Sequence, residues 1–468
     1  MRETDVLIIG GGISGLSTAW WLARQGISTE VWEADDRAGG KIRTTADQGY
    51  LTERAAGLLV NYHPEVDQLI QQCGLEEHKQ TRDESLKRYI IRHNRLTAVP
   101  MKLPDLMASP LWSRKAKLRL AAEIFIQRGR DESETVSSFI SRRLGREILE
   151  TVIDPFIAGT LASDPDKAEA RAVLPRLTKL EQRYGSLTMG MLINAVLKRR
   201  RANKADTFSF RSGMSQLTDT LARTEGIELH LGLKVSTIRR DQDGWQVTAK
   251  TADGKRSVLV RQLVLSTPAD SAAKLLSDTD EKLAGLLTEI EYSPVGVLHL
   301  GLAERGINQP LDGTGFLVST KNHLPFNGNL WMSRLFPGRA PKGQALLSTY
   351  LGGALHPEQL QQSDEKIVSL VLEKLKPLLS ISSDPDYVRM DRHEKGLPLY
   401  HGQYQQRLET IGEHLDLLPG LHLNANYMGG VAVRERIFQG KRTAQTIARV
   451  LANRLQTTPM QQPFAIAQ

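Results

Sequence analysis

An α/β fold built around a discontinuous parallel-sheet domain is what this 468-residue sequence predicts, and three features predict it. The first is Val6-Leu7-Ile8-Ile9, an all-apolar run of the kind expected of a parallel strand buried on both faces. The second is the glycine cluster at residues 10–15, which opens a helical pattern over residues 14–24 with Leu16, Ala19, Trp20 and Ala23 on one side. The third is the order of the later segments. A helical block over about residues 64–201 gives way to strand-like segments, then to a mixed block over 275–390, and finally to a strand, Gly-rich turn and helix over 422–451. That order implies a domain assembled from separated chain segments, with the two middle blocks inserted into it.

Taken in order, Gly26 closes the first helix and Thr29-Glu30-Val31-Trp32-Glu33 reads as the second strand. The strand–helix–strand unit is about 30 residues long, the size of a crossover unit. In the helical block, Asp131 to Glu134 precede an amphipathic stretch over 136–144, and Lys198-Arg199-Arg200-Arg201 marks an exposed junction. Strands are expected over 228–231, 245–249 and 258–265, separated by the turns Asp243-Gly244 and Asp253-Gly254. The tail, 456–468, is expected to be disordered, and no internal repeat is evident.

Hydrophobic content of 40% and charged content of 24% are those of a soluble globular protein. No apolar run of about 18 residues is present, so a membrane-spanning helix is not expected. The first residues lead straight into a core strand, so no signal peptide is expected either. The single cysteine, Cys73, excludes an internal disulfide and a Cys-rich metal site, and it suits a reducing compartment such as the cytoplasm. The histidines show no ligand spacing, so no metal is expected. A net charge of +8 fits a solvated surface, an anionic substrate or an anionic membrane surface. No nucleic-acid motif accompanies it, and nucleic acid is not expected as a partner.

The chemistry begins at Gly10-Gly11-Gly12-Ile13-Ser14-Gly15, which satisfies G-x-G-x-x-G. Gly10 permits the tight turn, Gly12 lets backbone approach a pyrophosphate, and Gly15 lets the helix pack close to the strand. The helix N-terminus, at Ile13 and Ser14, then presents free N–H groups to phosphate. Glu33, followed by Ala34 at the end of the second strand, sits where a carboxylate would accept a ribose diol. These features alone leave NAD and FAD both open. Arg37-Ala38-Gly39-Gly40-Lys41 decides between them, because two glycines allow a second close approach to the dinucleotide and Arg37 brings a cation. The segment resembles the Arg-x-Gly-Gly motif of the flavin monoamine oxidase and phytoene desaturase superfamily, which implies non-covalent FAD in a Rossmann-like domain.

Four further segments resemble the oxygen-dependent protoporphyrinogen oxidases. They are residues 154–165 with 175–181, residues 311–318, residues 335–341 with 351–354, and Asn426-Tyr427-Met428-Gly429-Gly430-Val431-Ala432-Val433. The resemblance implies hydride transfer from a porphyrinogen to flavin in three two-electron rounds, with O2 reduced to hydrogen peroxide. It implies that Arg88 binds a substrate propionate, that Leu317 and Leu330 clamp the flat macrocycle, that Tyr350 stacks on a pyrrole ring, and that Gly159 lines the pocket. It also implies that Val235 meets the adenine with its backbone, and that Asn426, Gly430 and Val431 bring backbone to the flavin ring. No side chain stands out as an acid–base catalyst. The chain departs from the family at Glu53-Arg54-Ala55-Ala56-Gly57, where Glu-x-Gly-Pro is usual, and at Gly396-Leu397-Pro398-Leu399-Tyr400.

The implied architecture is an FAD-binding domain assembled from residues 1–63, 204–274 and 395–455. Residues 64–203 form a largely helical, membrane-docking and substrate domain, and 275–394 a substrate-binding α+β domain. Trp112-Ser113-Arg114-Lys115-Ala116-Lys117 leading into 118–126 combines basic residues, an aromatic and an apolar face, which suits peripheral docking on the inner face of an anionic membrane. Alternatives are oxidation of coproporphyrinogen III, another flavin amine oxidase or desaturase, and a non-catalytic escort-type binding protein on the same fold. Oligomeric state stays open, a homodimer being one form.

Overall fold

The computed structural model describes residues 2–100, 103–197, 205–251 and 254–457. Its organising element is a parallel sheet centred on the first strand, Arg2–Ile9. That strand pairs with Thr29–Trp32 on one side and Gly254–Leu265 on the other. Ile227–His230 extends the sheet beyond Thr29–Trp32, and Leu421–Leu423 extends it beyond Gly254–Leu265. The expected discontinuity is therefore present as five parallel strands drawn from distant parts of the chain. Strand Gly254–Leu265 starts as the last arm of an antiparallel meander with Lys234–Arg240 and Trp245–Thr251, then runs on into the parallel layer. Val6, Leu7 and Ile8 are fully buried, as an all-apolar run requires.

Helix Ile13–Ala23 leaves the carboxyl end of the first strand, and the C-terminal helix Val433–Thr457 leaves the carboxyl side of Leu421–Leu423. The two helices pack face to face through Gly440, where a Cβ would lie 2.5 Å from Ser17 Oγ and 3.0 Å from the Thr18 nitrogen. Their N-termini thus open on the same carboxyl edge of the sheet, the edge at which α/β folds bind ligands.

A second, seven-stranded sheet runs in the order Tyr387–Pro398, Tyr292–Ala303, Gln344–Gly352, Gly328–Trp331, Gly313–Leu317, Lys87–Arg92 and Arg95–Ala98. The last two strands lie within the segment 64–203 expected to be largely helical, and they pair into the sheet of the 275–394 block through Gly313–Leu317. The apolar pattern Tyr89-Ile90-Ile91 reports a strand, but the partner sheet begins more than two hundred residues later in sequence. Helix Asp364–Leu379 covers one face of this sheet with Ile367, Val371, Leu375 and Leu379.

The helical block proper runs from Leu103–Ala108 to Leu187–Val196. Its amphipathic stretch forms helix Val136–Arg143, burying Val136, Phe139 and Ile140. A buried pair, Arg143 with Glu123 at 2.5 Å, ties that helix to the turn Ala122–Phe125. The basic run 198–201, Asp253 and tail residues 458–468 lie outside the described residues, while 456–457 continue the last helix.

Candidate functional site

The glycine turn has the geometry its sequence implies. Gly10 adopts φ +106°, and a Cβ there would lie 2.9 Å from the Ser266 carbonyl oxygen. At Gly15 a Cβ would be 2.0 Å from the Gly10 oxygen, so no larger residue fits between helix and strand. Gly12 is the opposite case: a Cβ would meet nothing nearer than the Gly40 Cα at 4.0 Å, so the space before the helix is open. Gly12 caps the helix without a side chain, and Ile13 and Ser14 form its first turn. Glu33 Oε2 accepts the Gly11 N–H at 2.6 Å and Oε1 accepts the Asp35 N–H at 3.0 Å, which fixes the carboxylate at the turn. Ala34 is exposed beside it, and Leu233, two residues before Val235, donates its N–H to the Glu33 oxygen at 2.8 Å.

The second glycine turn docks on the first. Gly39 donates its N–H to the Gly11 oxygen at 2.8 Å, and Gly40 takes φ +58°. Arg37 is folded onto its own turn, donating to the Gly40 oxygen at 3.2 Å and the Ile42 oxygen at 3.1 Å. Its visible work is to hold the loop, where the sequence suggested a cation presented to the dinucleotide. Lys41 crosses to the second sheet and donates to the Gly396 oxygen at 2.9 Å. Burial, reinforced by Lys395, pushes its ammonium down to about 8.

The C-terminal turn is held by a residue that no motif singled out. Arg436 is fully buried, and its guanidinium donates to the Ala425 and Met428 carbonyls and to Asn424 Oδ1 at 3.4 Å. Asn424 in turn donates to Thr18 Oγ1 at 2.7 Å. This network seats the turn carrying Asn426, Gly430 and Val431 against the first helix, with Gly430 at φ +106°. Tyr292 adds a link, its hydroxyl accepting the Ala269 N–H at 3.1 Å and donating to Asn426 Oδ1 at 3.3 Å. Sequence offered one hint of Arg436, a lone cation inside an otherwise apolar helix face.

Strand register places the remaining residues together. Leu317 pairs with Ile90 and Gly328, and Gly328 pairs with Tyr350. Alternation then puts Arg88, Leu317, Leu330 and Tyr350 on one face of the seven-stranded sheet, the face opposite helix Asp364–Leu379. Helix Asp154–Leu161 presses on this face: a Cβ on Gly159 would be 2.5 Å from Leu317 Cδ2. Asp154 sets that helix down by accepting from Ser319 Oγ at 2.5 Å and the Thr320 N–H at 3.1 Å. The Arg88 guanidinium has no hydrogen-bond or ion-pair partner among the described residues. Its guanidinium is accessible at the surface but enclosed enough that desolvation, and then the like charge of Arg82, lowers its pKa.

The other half of the same face is bound to the dinucleotide domain. His299 reaches the Glu53 oxygen at 3.1 Å and His393 the Arg54 oxygen at 2.8 Å, while Arg54 pairs with Asp391 at 2.9 Å. Burial holds the His299 imidazole neutral, with its pKa near 4. Glu53 is consumed structurally, accepting from Arg339 at 2.6 Å, the Met214 N–H at 2.9 Å and Thr44 at 2.8 Å. The unusual Arg54 therefore straps the hairpin Thr44–Asp47/Tyr50–Glu53 to strand Tyr387–Pro398 of the second sheet.

These residues fit FAD. The unfilled space before Gly12, the helix N-terminus behind it and the two positive-φ glycine turns form a cradle for an extended dinucleotide. Ser266 Oγ and Thr267 Oγ1 lie at the same sheet edge, buried without partners. One metal-like group, Glu30 with Glu228 and His230, is already filled by a cation, since Arg256 lies 3.2 Å from Glu30 and 3.3 Å from both His230 ring nitrogens.

Comparison with known proteins is consistent with this geometry. The family model described as flavin containing amine oxidoreductase matches residues 13–448. A chloroplastic protoporphyrinogen oxidase of Nicotiana tabacum is 31% identical over 458 residues, covering 92% of this chain and 83% of that protein. The coproporphyrinogen III oxidase of Bacillus subtilis is 26% identical, over 94% of this chain and 97% of that protein. Among solved structures, a protein of Exiguobacterium sp. 255-15 superposes with a TM-score of 0.77 at 22% identity, over 96% of this chain and 99% of that chain, and shares the fold.

Proposed function

The chain belongs to the flavin containing amine oxidoreductase family, and we propose that it is an FAD-dependent protoporphyrinogen oxidase, aromatising protoporphyrinogen IX to protoporphyrin IX in haem synthesis. The observation that carries this reading is the shared sheet face of Arg88, Leu317, Leu330 and Tyr350 beneath the Gly159 helix. A largely apolar sheet face with an unneutralised guanidinium at one edge suits a flat, greasy macrocycle that carries carboxylates. It suits a small amine poorly, because an alkylammonium would meet Arg88 as a like charge. The relatives named for porphyrinogens point the same way.

Bound FAD supplies a two-electron acceptor that O2 reoxidises, giving hydrogen peroxide. The protein's own part is positioning. Arg88 anchors a propionate, and Leu317 and Leu330 hold the ring plane while Tyr350 stacks on a pyrrole. Gly159 lets its helix close on Leu317, and the strap from Arg54 to Asp391 holds the substrate sheet against the flavin side. Anaerobic mixing of the yellow protein with protoporphyrinogen IX, coproporphyrinogen III and a primary amine tests this. Protoporphyrinogen IX is expected to bleach the flavin fastest. Faster bleaching by either of the others, or none by any, overturns it.

The helical block supplies a membrane-facing surface in this reading. No described helix is long and apolar enough to cross a membrane. Support comes from exposed apolar side chains on neighbouring elements, among them Leu118 at 73%, Phe125 at 80% and Val196 at 79% exposure. The details differ from the sequence expectation. Trp112 is buried and donates to Thr151 Oγ1 at 3.0 Å, so Phe125 is the exposed aromatic, and Lys117 is turned onto the Ser109 oxygen at 2.8 Å. Arg114 and Lys115 remain exposed. The combined change Phe125→Asp, Arg114→Glu and Lys115→Glu is expected to weaken partitioning onto anionic vesicles by about tenfold or more. Unchanged co-sedimentation removes the docking surface from this region.

A further inference from the structure

We propose that Arg82 joins Arg88 in a two-guanidinium clamp for substrate carboxylate, an inference that rests on the porphyrinogen reading. Arg82 follows strand Lys79–Thr81, and its N–H donates to the Thr207 oxygen at 2.7 Å, so the sheet fixes its backbone independently of its side chain. The guanidinium reaches forward to the Leu86 oxygen at 3.5 Å, two residues before Arg88. Alternation carries Leu86, Arg88 and Ile90 to one side of the chain, and Leu86 packs in the cluster that includes Leu58 and Leu330. The Arg82 guanidinium therefore sits at the backbone entering the Arg88 strand, close enough that its like charge adds to desolvation in lowering the Arg88 pKa.

The nearby acids make their hydrogen bonds elsewhere, although Asp83 also feels the Arg82 charge. Lys87, on the opposite side of the strand, takes Asp312 at 2.6 Å, and the Tyr89 hydroxyl donates to the same carboxylate at 2.6 Å. Asp83 caps its own turn, accepting the Ser85 N–H at 2.8 Å. Neither Arg82 nor Arg88 has a carboxylate at ion-pair distance among the described residues, and Arg82 Nε is buried without a partner. Arg54, Arg142, Arg143, Arg339 and Arg389 are paired with acids, and the fully buried Arg436 is spent on the carbonyls of Ala425 and Met428. Arg88 is partly desolvated beside the like charge of Arg82, and an anion between the two guanidinium groups relieves that repulsion. A planar guanidinium fork matches a carboxylate in geometry as well as charge. Two forks suit the paired propionates on one edge of a porphyrinogen.

The test uses the flavin-loaded protein with protoporphyrinogen IX and its dimethyl ester, which keeps the ring and removes the charge. In Arg82→Ala the ratio of kcat/KM for the acid over the ester is expected to fall about tenfold, as in Arg88→Ala. Arg82→Lys keeps a cation but loses the fork, and is expected to recover only part of that ratio. Thermal unfolding of each variant monitors the fold. A wild type that oxidises both compounds, with the Arg82→Ala ratio unchanged or with acid and ester lost equally, overturns the clamp alone. A wild type that oxidises neither overturns the porphyrinogen reading and the clamp with it.

Discussion

Arg339→Met is expected to cost about 3–5 kcal/mol of stability, since it strips the partner from a carboxylate held in the protein interior. Glu53 and Arg339 have side-chain exposures of 3% and 0%, at 2.6 Å from each other. Arg339 also donates to Ser209 Oγ at 2.6 Å and the Phe210 oxygen at 3.3 Å, so it joins the segment 44–53 to strand Asp206–Phe210. Without it, Glu53 either keeps an uncompensated charge or takes up a proton and loses its strongest acceptor role. Glu53→Gln alone is expected to be milder, because the amide oxygen still accepts the Met214 N–H and the amide NH2 can donate to the Thr44 hydroxyl. A denaturant-based double-mutant cycle measures the coupling, and a value below about 0.5 kcal/mol shows the two residues to be independent. The variant is also expected to lose flavin during purification, because His299 hangs on the Glu53 carbonyl and carries the second sheet with it.

That network marks where sequence reading stops. The turn at residues 10–15 is legible because most of its constraint is local: Gly15 answers to the Gly10 oxygen, Gly12 to open space before the helix, and only Gly10 answers also to a distant strand, at Ser266. The discontinuity of the first sheet was legible from element order. Membership of residues 87–98 in the second sheet was not, because a strand pattern reports its own period and says nothing of a partner at Gly313–Leu317. Arg436 and Arg339 were missed for a related reason. A buried arginine looks like any surface cation until the carbonyls it serves, such as those of Ala425 and Met428, are brought to it by the fold. The proposed substrate residues are named through family resemblance, and it is the register of three strand pairs that assembles them on one face.

The sharpest separation of folding from cofactor binding is expected at two glycines three residues apart. Gly12 has φ −76° and ψ 179°, ordinary extended geometry that valine also adopts, and its missing Cβ opens on space rather than protein. Gly12→Val is therefore expected to fold with secondary structure unchanged, yet to emerge colourless, with FAD affinity lowered on the order of a hundredfold or more. The added methyls would occupy the place where phosphate must meet the helix N–H groups. Gly15 answers to the protein itself, since its Cβ would sit 2.0 Å from a backbone oxygen that cannot move without breaking the turn. Gly15→Val is expected to lose the fold outright, with insoluble expression or a collapsed unfolding transition. Circular dichroism and flavin stoichiometry on both variants separate the two roles. A yellow Gly12→Val protein at wild-type stoichiometry would move the dinucleotide away from this turn. A stable, soluble Gly15→Val would show that helix and strand can part without cost, contrary to the contact at Gly10.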